Sequence, residues 1–469
     1  MRLGAALLVL AAAPWDCSRA PRERPNVLLL SIDTLRADHL GCYGYPVHTS
    51  PAIDRLAARS TLYLDALAPT PWTFPSHAAM LTGVHPLRLG IVSDGNVVPG
   101  DAPFLAEALR EGGYQTAAFV DSEAGGFLGR ERGFDRGFET YAEAPFPPPG
   151  RYRYDARATV RAAQEWLGRR DPARPFFLFL HTKSVHTTPE HGDKRTDLPY
   201  EKPPRFLRRF LPGGEPRFPW RRDERTRGVL LLREINARIV DGRAPAPPLP
   251  PEQVRELIAL YDAGIYYVDE QVRRLQEVLS ERGVGGNTVL ILTSDHGEAF
   301  LEHRFLLHRE LYEPLIRVPL LVHDPRDPRG RRVRSTVHLE DIPATVLRLA
   351  GIADGRSRDA RPLPGVDGAA PARTTFAYYS FGPGEGYEAY AVRDGRYKLI
   401  RHKVGDGDFT NELYDLVRDP LEGSPLPADP REPALLGEIE SRLRGAGRAE
   451  RMELSPETLE ELRALGYVQ

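Results

Sequence analysis

Cysteine is almost missing from this 469-residue chain: only Cys17 and Cys42 occur. Two cysteines cannot build a disulfide framework, so the fold must be held by its core. Cys42, in Gly41-Cys42-Tyr43-Gly44, reads as a small buried residue. Lysine is also scarce (Lys183, Lys194, Lys202, Lys398 and Lys403), and arginine carries nearly all the positive charge. Formal net charge is only −2. With no arginine cluster on one predicted face, that balance gives no nucleic-acid footprint. Beyond the N-terminus no apolar run is long enough to span a bilayer. No internal repeat is visible, which excludes solenoids and propellers.

The N-terminal run Met1-Arg2-Leu3 through Ala13 has one positive charge and about ten apolar residues, ending in Ala11-Ala12-Ala13. This fits a short secretory signal and an exported chain. Cys17 raises a lipid-modified N-terminus as the alternative, although Trp15-Asp16 before it makes a poor lipoprotein box. The length suffices for two or three domains. The divisions read are 1–24 as signal and linker, 25–370 as the catalytic domain, and 371–469 as a smaller C-terminal subdomain. Within the second, residues 187–250 are rich in proline and arginine and read as a cap beside the site. A disordered surface insertion is the alternative for that segment.

Three short apolar runs carry the functional signal. Val27-Leu28-Leu29-Leu30-Ser31-Ile32 is followed by Asp33. Phe176-Phe177-Leu178-Phe179-Leu180 is followed by His181 and then His186. Val289-Leu290-Ile291-Leu292 is followed by Thr293-Ser294-Asp295-His296-Gly297. Continuous apolar runs of this length read as strands buried on both faces. Ligand sites of open α/β sheets lie beyond the carboxyl ends of such strands. The runs therefore deliver Asp33, His186, Asp295 and His296 to one rim. Around them, 25–186 alternates strand and helix patterns, as a doubly wound sheet requires. The apolar positions of 252–282 follow helical spacing, and Tyr-rich strands beyond about 370 indicate a small antiparallel subdomain. Leu454 to Leu462 reads as a capped amphipathic helix.

A threonine lies in Pro71-Trp72-Thr73-Phe74-Pro75-Ser76-His77, before Leu81-Thr82-Gly83. Thr73 suits a helix N-cap, Pro75 the first turn and Gly83 the helix end. A hydroxyl there faces the positive helix end, which favours an alkoxide and an anionic ester. Asp33, Asp295, His296 and the Thr73 oxygen form a mixed O/N set for a divalent ion. That set suits zinc or manganese better than calcium, which remains possible. His186 and His308 would bind a second ion or act on the leaving group. His181 is read as structural or supporting rather than as a ligand.

Taken in order, these motifs resemble the sulfatase family of the alkaline phosphatase superfamily. Arg24-Pro25-Asn26-Val27 through Gly44 is similar to that family's opening strand and first metal loop, and Thr293 to Gly297 with Glu302-His303, His308 and Arg317 to Leu320 to its second metal segment. The closing domain is matched by Arg393 to Leu399 and Glu412 to Leu416. The resemblance implies an alkaline-phosphatase-like sheet with a smaller antiparallel subdomain, and a metal-dependent hydrolase of sulfuric or phosphoric esters.

Departures from the family pattern redirect the chemistry. The signature cysteine, which relatives convert to formylglycine, is Thr73, and His77 replaces the signature arginine. Formylglycine hydrate carries two hydroxyls, so its sulfated intermediate can collapse. Thr73 has one, and its ester must be released by attack of water or another acceptor. Asp121-Ser122-Glu123 stands where a Lys-Trp-His segment is expected, His308 replaces a lysine that contacts sulfate, and Ser184 replaces an aspartate. The expected activity is thus a Thr73-dependent hydrolase favouring phosphate esters or diesters, acting on a small-molecule, glycan or lipid ester. A phosphoethanolamine or phosphoglycerol transferase and a non-catalytic binding protein are the rival readings.

Overall fold

The structure, a computed structural model, describes residues 24–121, 126–143, 155–187, 198–223, 226–356, 358–366, 373–380, 387–404 and 407–448. The N-terminal signal, the 454–462 helix, Ser122, Glu123 and His191 lie outside them.

The main sheet contains β1 (Asn26–Ile32), β2 (Thr61–Leu67), β3 (Gln115–Val120), β4 (Thr140–Glu143), β5 (Phe176–Thr182) and β6 (Thr288–Thr293). A two-stranded hairpin follows, β7 (Ala299–Phe300) and β8 (Leu306–Leu307). The main sheet resumes with β9 (Arg317–His323), β10 (Arg331–Val333) and β11 (Val337–His338). Its order is β10-β2-β9-β6-β1-β5-β3-β4, with β11 also on β2. The smaller sheet is β12 (Thr375–Tyr379), β13 (Tyr387–Arg393), β14 (Tyr397–Val404) and β15 (Thr410–Asp415), antiparallel throughout. This is the α/β architecture expected, with the small antiparallel sheet as a separate C-terminal layer.

The three apolar runs are the centre of the main sheet. β1 pairs in parallel with β5 on one side and β6 on the other, and the register sets Ser31 against both His181 and Thr293. Successive side chains leave a strand on opposite faces, so each run feeds two cores. Val27, Leu29, Phe177, Phe179, Val289 and Ile291 enter one. Leu28, Leu30, Phe176, Leu178, Leu290 and Leu292 enter the other.

The helices are α1 (Pro51–Ala57), α2 (Thr73–Thr82), α3 (Leu105–Glu111), α4 (Ala156–Arg169), α5 (Pro204–Phe210), α6 (Val229–Val240), α7 (Pro251–Glu281), α8 (Glu313–Ile316), α9 (Asp341–Ala350) and α10 (Glu432–Arg444). Those contributing to the first core are α2, α3, α8 and α9; α1, α4, α5, α6 and α7 contribute to the second. Among the described residues, no helix is long and apolar enough to cross a membrane.

One strand reverses the parallel pattern: β9 is antiparallel to β6 and to β2. A parallel return needs a crossover of a dozen or more residues, usually a helix. Between β6 and β9 the chain offers only the short hairpin and the four-residue α8, so it turns back at the rim. That turn gathers Asp295, His296 and His308 at one end of the sheet.

The described part of 187–250 contains helices at Pro204–Phe210 and Val229–Val240 and is tied to the domain. Trp220 Nε1 donates to Glu256 on α7 (2.9 Å). The Asn236 side chain of α6 donates to Leu306 O (2.9 Å) and accepts from Leu306 N (2.9 Å), which fixes the strand leading to His308. The small sheet is anchored by buried Lys398, 3.1 Å from Glu313 and 2.7 Å from Glu422, and by Arg393 on Asp65 (2.9 Å).

Candidate active site and metal centre

Asp33 is the first residue beyond β1, its N–H donating to Thr182 O (3.0 Å). The chain turns sharply after it. Thr34 has φ 59°, in the left-handed region that non-glycine residues seldom adopt. The turn is held by the α7 hydroxyl Tyr261, which donates to Thr34 O (2.7 Å) and accepts from Arg36 N (2.9 Å). Leu35 N donates to Ser294 Oγ (2.9 Å), joining the β1 and β6 loops.

On the β6 loop, Asp295 Oδ1 accepts from His296 N (3.0 Å) and Thr34 N (3.3 Å). His296 Nδ1 lies 2.9 Å from Gly297 O. A carbonyl only accepts, so Nδ1 carries the proton and the neutral ring presents the Nε2 lone pair. Gly297 is required by close approach: a Cβ there would stand 1.9 Å from Pro314 O. Its N–H donates to Leu315 O (2.8 Å), bracing the loop from behind.

Thr73 differs from its expected role. Trp72, in extended conformation, is the N-cap of α2, and Thr73 is the first helical residue. Its hydroxyl is thus spared from capping and lies 3.4 Å from His296 Nε2. Gly83, with φ 73°, ends the helix as read. Every residue of α2 is buried, and Ser76 Oγ donates to Asp295 O (2.7 Å).

Ligand-type atoms converge around this point. His296 Nε2 is 3.5 Å from Asp295 Oδ2 and 3.7 Å from Asp33 Oδ1. Asp33, Asp295 and His296 offer donor atoms within 4.8 Å of one another, all buried. Tetrahedral ligands bound at about 2.0–2.2 Å would stand roughly 3.3–3.6 Å apart, close to these spacings. Both oxygens of Asp33 and Oδ2 of Asp295 are buried without a hydrogen-bond partner. Such atoms are costly to leave unpaired. The residues therefore fit a divalent ion. Burial lowers the His296 pKa, but Asp295 and then Asp33 outweigh it and raise it. Positive charge is favoured at this position, which a metal ion would supply.

The other histidines divide into groups. His77 uses both nitrogens: Nδ1 lies 2.8 Å from Thr73 O and must donate, while Nε2 is 2.9 Å from Ser31 Oγ. Burial holds its pKa at about 3, so it is a neutral brace between α2 and β1, not a cation in place of the arginine. His186 and His308 face each other with ring centres 5.2 Å apart, and the His308 ring is 4.7 Å from that of His296. Burial lowers His186 to about 3 and His308 well below its ordinary value. His303 stacks on Tyr312 at 3.5 Å and does not join the cluster. His39 pairs with Asp262 at 2.8 Å, and His85, His323, His338 and His402 bond elsewhere.

Two neighbours escaped the sequence reading. Glu298 is fully buried, 3.3 Å from His308 Nδ1, with its pKa pushed up to about 8 by burial. Its position, two residues beyond His296, was the available signal. Lys183, just past β5, is buried, and its charge disfavours protonation of His181 and His186. The site is thus not devoid of lysine, although the segment expected to supply sulfate-binding cations is replaced.

A sequence profile of the sulfatase family matches residues 25–352, and one of the N-sulphoglucosamine sulphohydrolase C-terminal region matches residues 301–448. The chain is 24% identical to an N-acetylglucosamine-6-O-sulfatase of Bacteroides thetaiotaomicron, over 89% of this chain and 86% of that one. Its fold is similar to the phosphonate monoester hydrolase of Agrobacterium radiobacter, with TM-score 0.69 and 23% identity, covering 90% of this chain and 95% of the other. It is also similar to BT4656, solved with its substrate D-glucosamine-2-N,6-O-disulfate, with TM-score 0.67 and 20% identity, covering 90% and 97%.

Proposed function

Because the chain belongs to the sulfatase family of ester hydrolases, we propose that it cleaves phosphate esters or diesters with Thr73 as nucleophile. The observation that carries this reading is the uncapped Thr73 hydroxyl, 3.4 Å from His296 Nε2 beside the unpartnered oxygens of Asp33 and Asp295. Asp33, Asp295, His296 and Thr73 would hold one divalent ion, zinc or manganese by the mixed O/N set. Bound there, such an ion supplies Lewis acidity, lowering the hydroxyl pKa and neutralising charge on the attacked group.

The chain's own groups do the rest. α2 aims its N-terminal end, with its partial positive charge, at the ester formed on Thr73. His77 fixes the Thr73 carbonyl, so the nucleophile is presented by rigid backbone. In the first step Thr73 Oγ1 gives up its proton and bonds to phosphorus while the phosphorus–ester oxygen bond breaks, and the departing alcohol oxygen takes up that proton. In the second, water attacks phosphorus and Thr73 is released. His186 and His308, kept neutral by burial, each offer a lone pair, and one of them takes a proton of that water and returns it to the Thr73 oxygen. A second ion finds little support. Ser184 Oγ, the replacement for the aspartate, already accepts from Ala156 N at the start of α4 (2.9 Å).

Substrate choice follows from the single hydroxyl. A sulfated threonine cannot collapse as a formylglycine hydrate does, whereas a phosphorylated one is open to water. The test is a matched pair of an aryl phosphate diester and an aryl sulfate on wild-type protein. The diester should be turned over faster; faster sulfate turnover that vanishes in Thr73→Ala would overturn the substrate choice and leave the nucleophile standing. The natural ester would belong to a small molecule, glycan or lipid.

The N-terminal apolar run supports export of the mature chain, with cleavage near Ala13. N-terminal sequencing of the native protein checks this. An intact Met1 on cytosolic material would contradict it, and an acylated Cys17 would indicate a lipoprotein.

A further inference from the structure

We propose that His181 is a further ligand of the active-site ion, an inference that rests on the reading of Asp33, Asp295 and His296 as its holders. His181 is on β5, where Phe177 and Phe179 point into the core that contains α2. Side chains alternate along a strand, so His181 points to that same face, against His77 of α2. The residue is completely buried, and neither ring nitrogen has a hydrogen-bond partner. That is unusual, because a buried imidazole ordinarily satisfies at least one nitrogen. His77, packed edge-on against it at 4.9 Å, satisfies both.

The unpartnered atoms lie together. His181 Nε2 is 3.6 Å from Asp33 Oδ2, and His181 offers a ring nitrogen within 4.8 Å of Asp295. Asp33 Oδ1 and Oδ2, Asp295 Oδ2 and both His181 nitrogens are all buried and unpaired. Hydrogen bonding among them cannot resolve this. Ionised carboxylate oxygens only accept, and a neutral imidazole has a single N–H to give. One cation between them satisfies the oxygens and one nitrogen at once. His77, which lies close to His181 and Asp295, is excluded because its nitrogens are already used.

The consequence is a centre of two carboxylates, two imidazoles and the Thr73 oxygen. A second nitrogen donor moves the preference further from calcium and magnesium, which take oxygen ligands, towards zinc and its neighbours.

The experiment uses the full chain, stripped with chelator and reloaded with zinc or cobalt(II). Zinc-edge X-ray absorption should count two imidazoles in wild type and in His186→Gln, and one in His181→Gln. Zinc affinity of His181→Gln should fall by about 100-fold, at the upper end of what loss of a supporting residue does. Cobalt-loaded His181→Cys should gain a near-ultraviolet thiolate-to-metal band. The inference is overturned if His181→Gln keeps both imidazoles and its zinc affinity, or if wild type shows only one. The wild-type count holds even if a variant fails to fold. Zinc binding that needs Asp295 but ignores His181 would sink this inference alone. Absence of any Asp295-dependent zinc would sink the broader reading.

Discussion

Thr73→Ala is expected to lower kcat by at least about two to three orders of magnitude, since a covalent nucleophile has no nearby substitute. The fold should survive. Thr73 does not cap α2, so the roughly 1 kcal/mol lost when a capping side chain is removed does not apply. Among the described residues, the side-chain hydrogen-bond contact of its hydroxyl is to His296 at 3.4 Å. Circular dichroism and thermal unfolding of the variant should therefore match wild type while steady-state turnover collapses. Thr73→Cys should not restore phosphate activity. Retention of more than about a tenth of wild-type kcat in Thr73→Ala would remove Thr73 from the chemistry.

The second large effect falls on Asp295. Purified protein should carry about one equivalent of divalent metal, and Asp295→Ala should carry almost none. Activity should fall with it, by at least a hundredfold or so, as expected when the group that activates the nucleophile is lost. Asp295 has two jobs: Oδ1 organises the loop through Thr34 N and His296 N, and Oδ2 is the unpartnered ligand atom. Asp295→Asn separates them, because an amide oxygen can still accept those N–H bonds but carries no charge. Elemental analysis of both variants, with unfolding curves alongside, provides the check. Full metal content in Asp295→Ala would show that the ligands are misassigned.

How much of this was legible in the sequence depended on how local each signal was. Asp33, Asp295 and His296 could be placed because each follows a continuous apolar run, and a buried central strand hands its next residues to the rim. The period-2 split of those runs between two cores also followed from the strands being covered on both faces. The reversal of β9 was not readable, since it depends on residues 294–316 being used for a hairpin and rim loops rather than for a crossover helix. The capping assignment missed by one residue. Threonine is a favoured N-cap, but here Trp72 takes the extended conformation and leaves the Thr73 hydroxyl to the site. His181 reads as structural because it closes the apolar run 176–180, and the proposal that it is a ligand rests on the unpaired buried atoms around it, which no sequence pattern displays. The tie between Asn236 and Leu306 is a long-range contact that no spacing rule encodes.

The claim on which the account turns is that a phosphoryl group passes through Thr73. The most direct measurement is mass spectrometry of the intact protein and its peptides after rapid acid quench of a reaction with an activated aryl phosphate diester. The account predicts a mass increase equal to the transferred phosphoryl monoester, located on the peptide containing Thr73 and absent from Thr73→Ala. Full turnover of the diester with no adduct at any quench time, and undiminished turnover in Thr73→Ala, would contradict it.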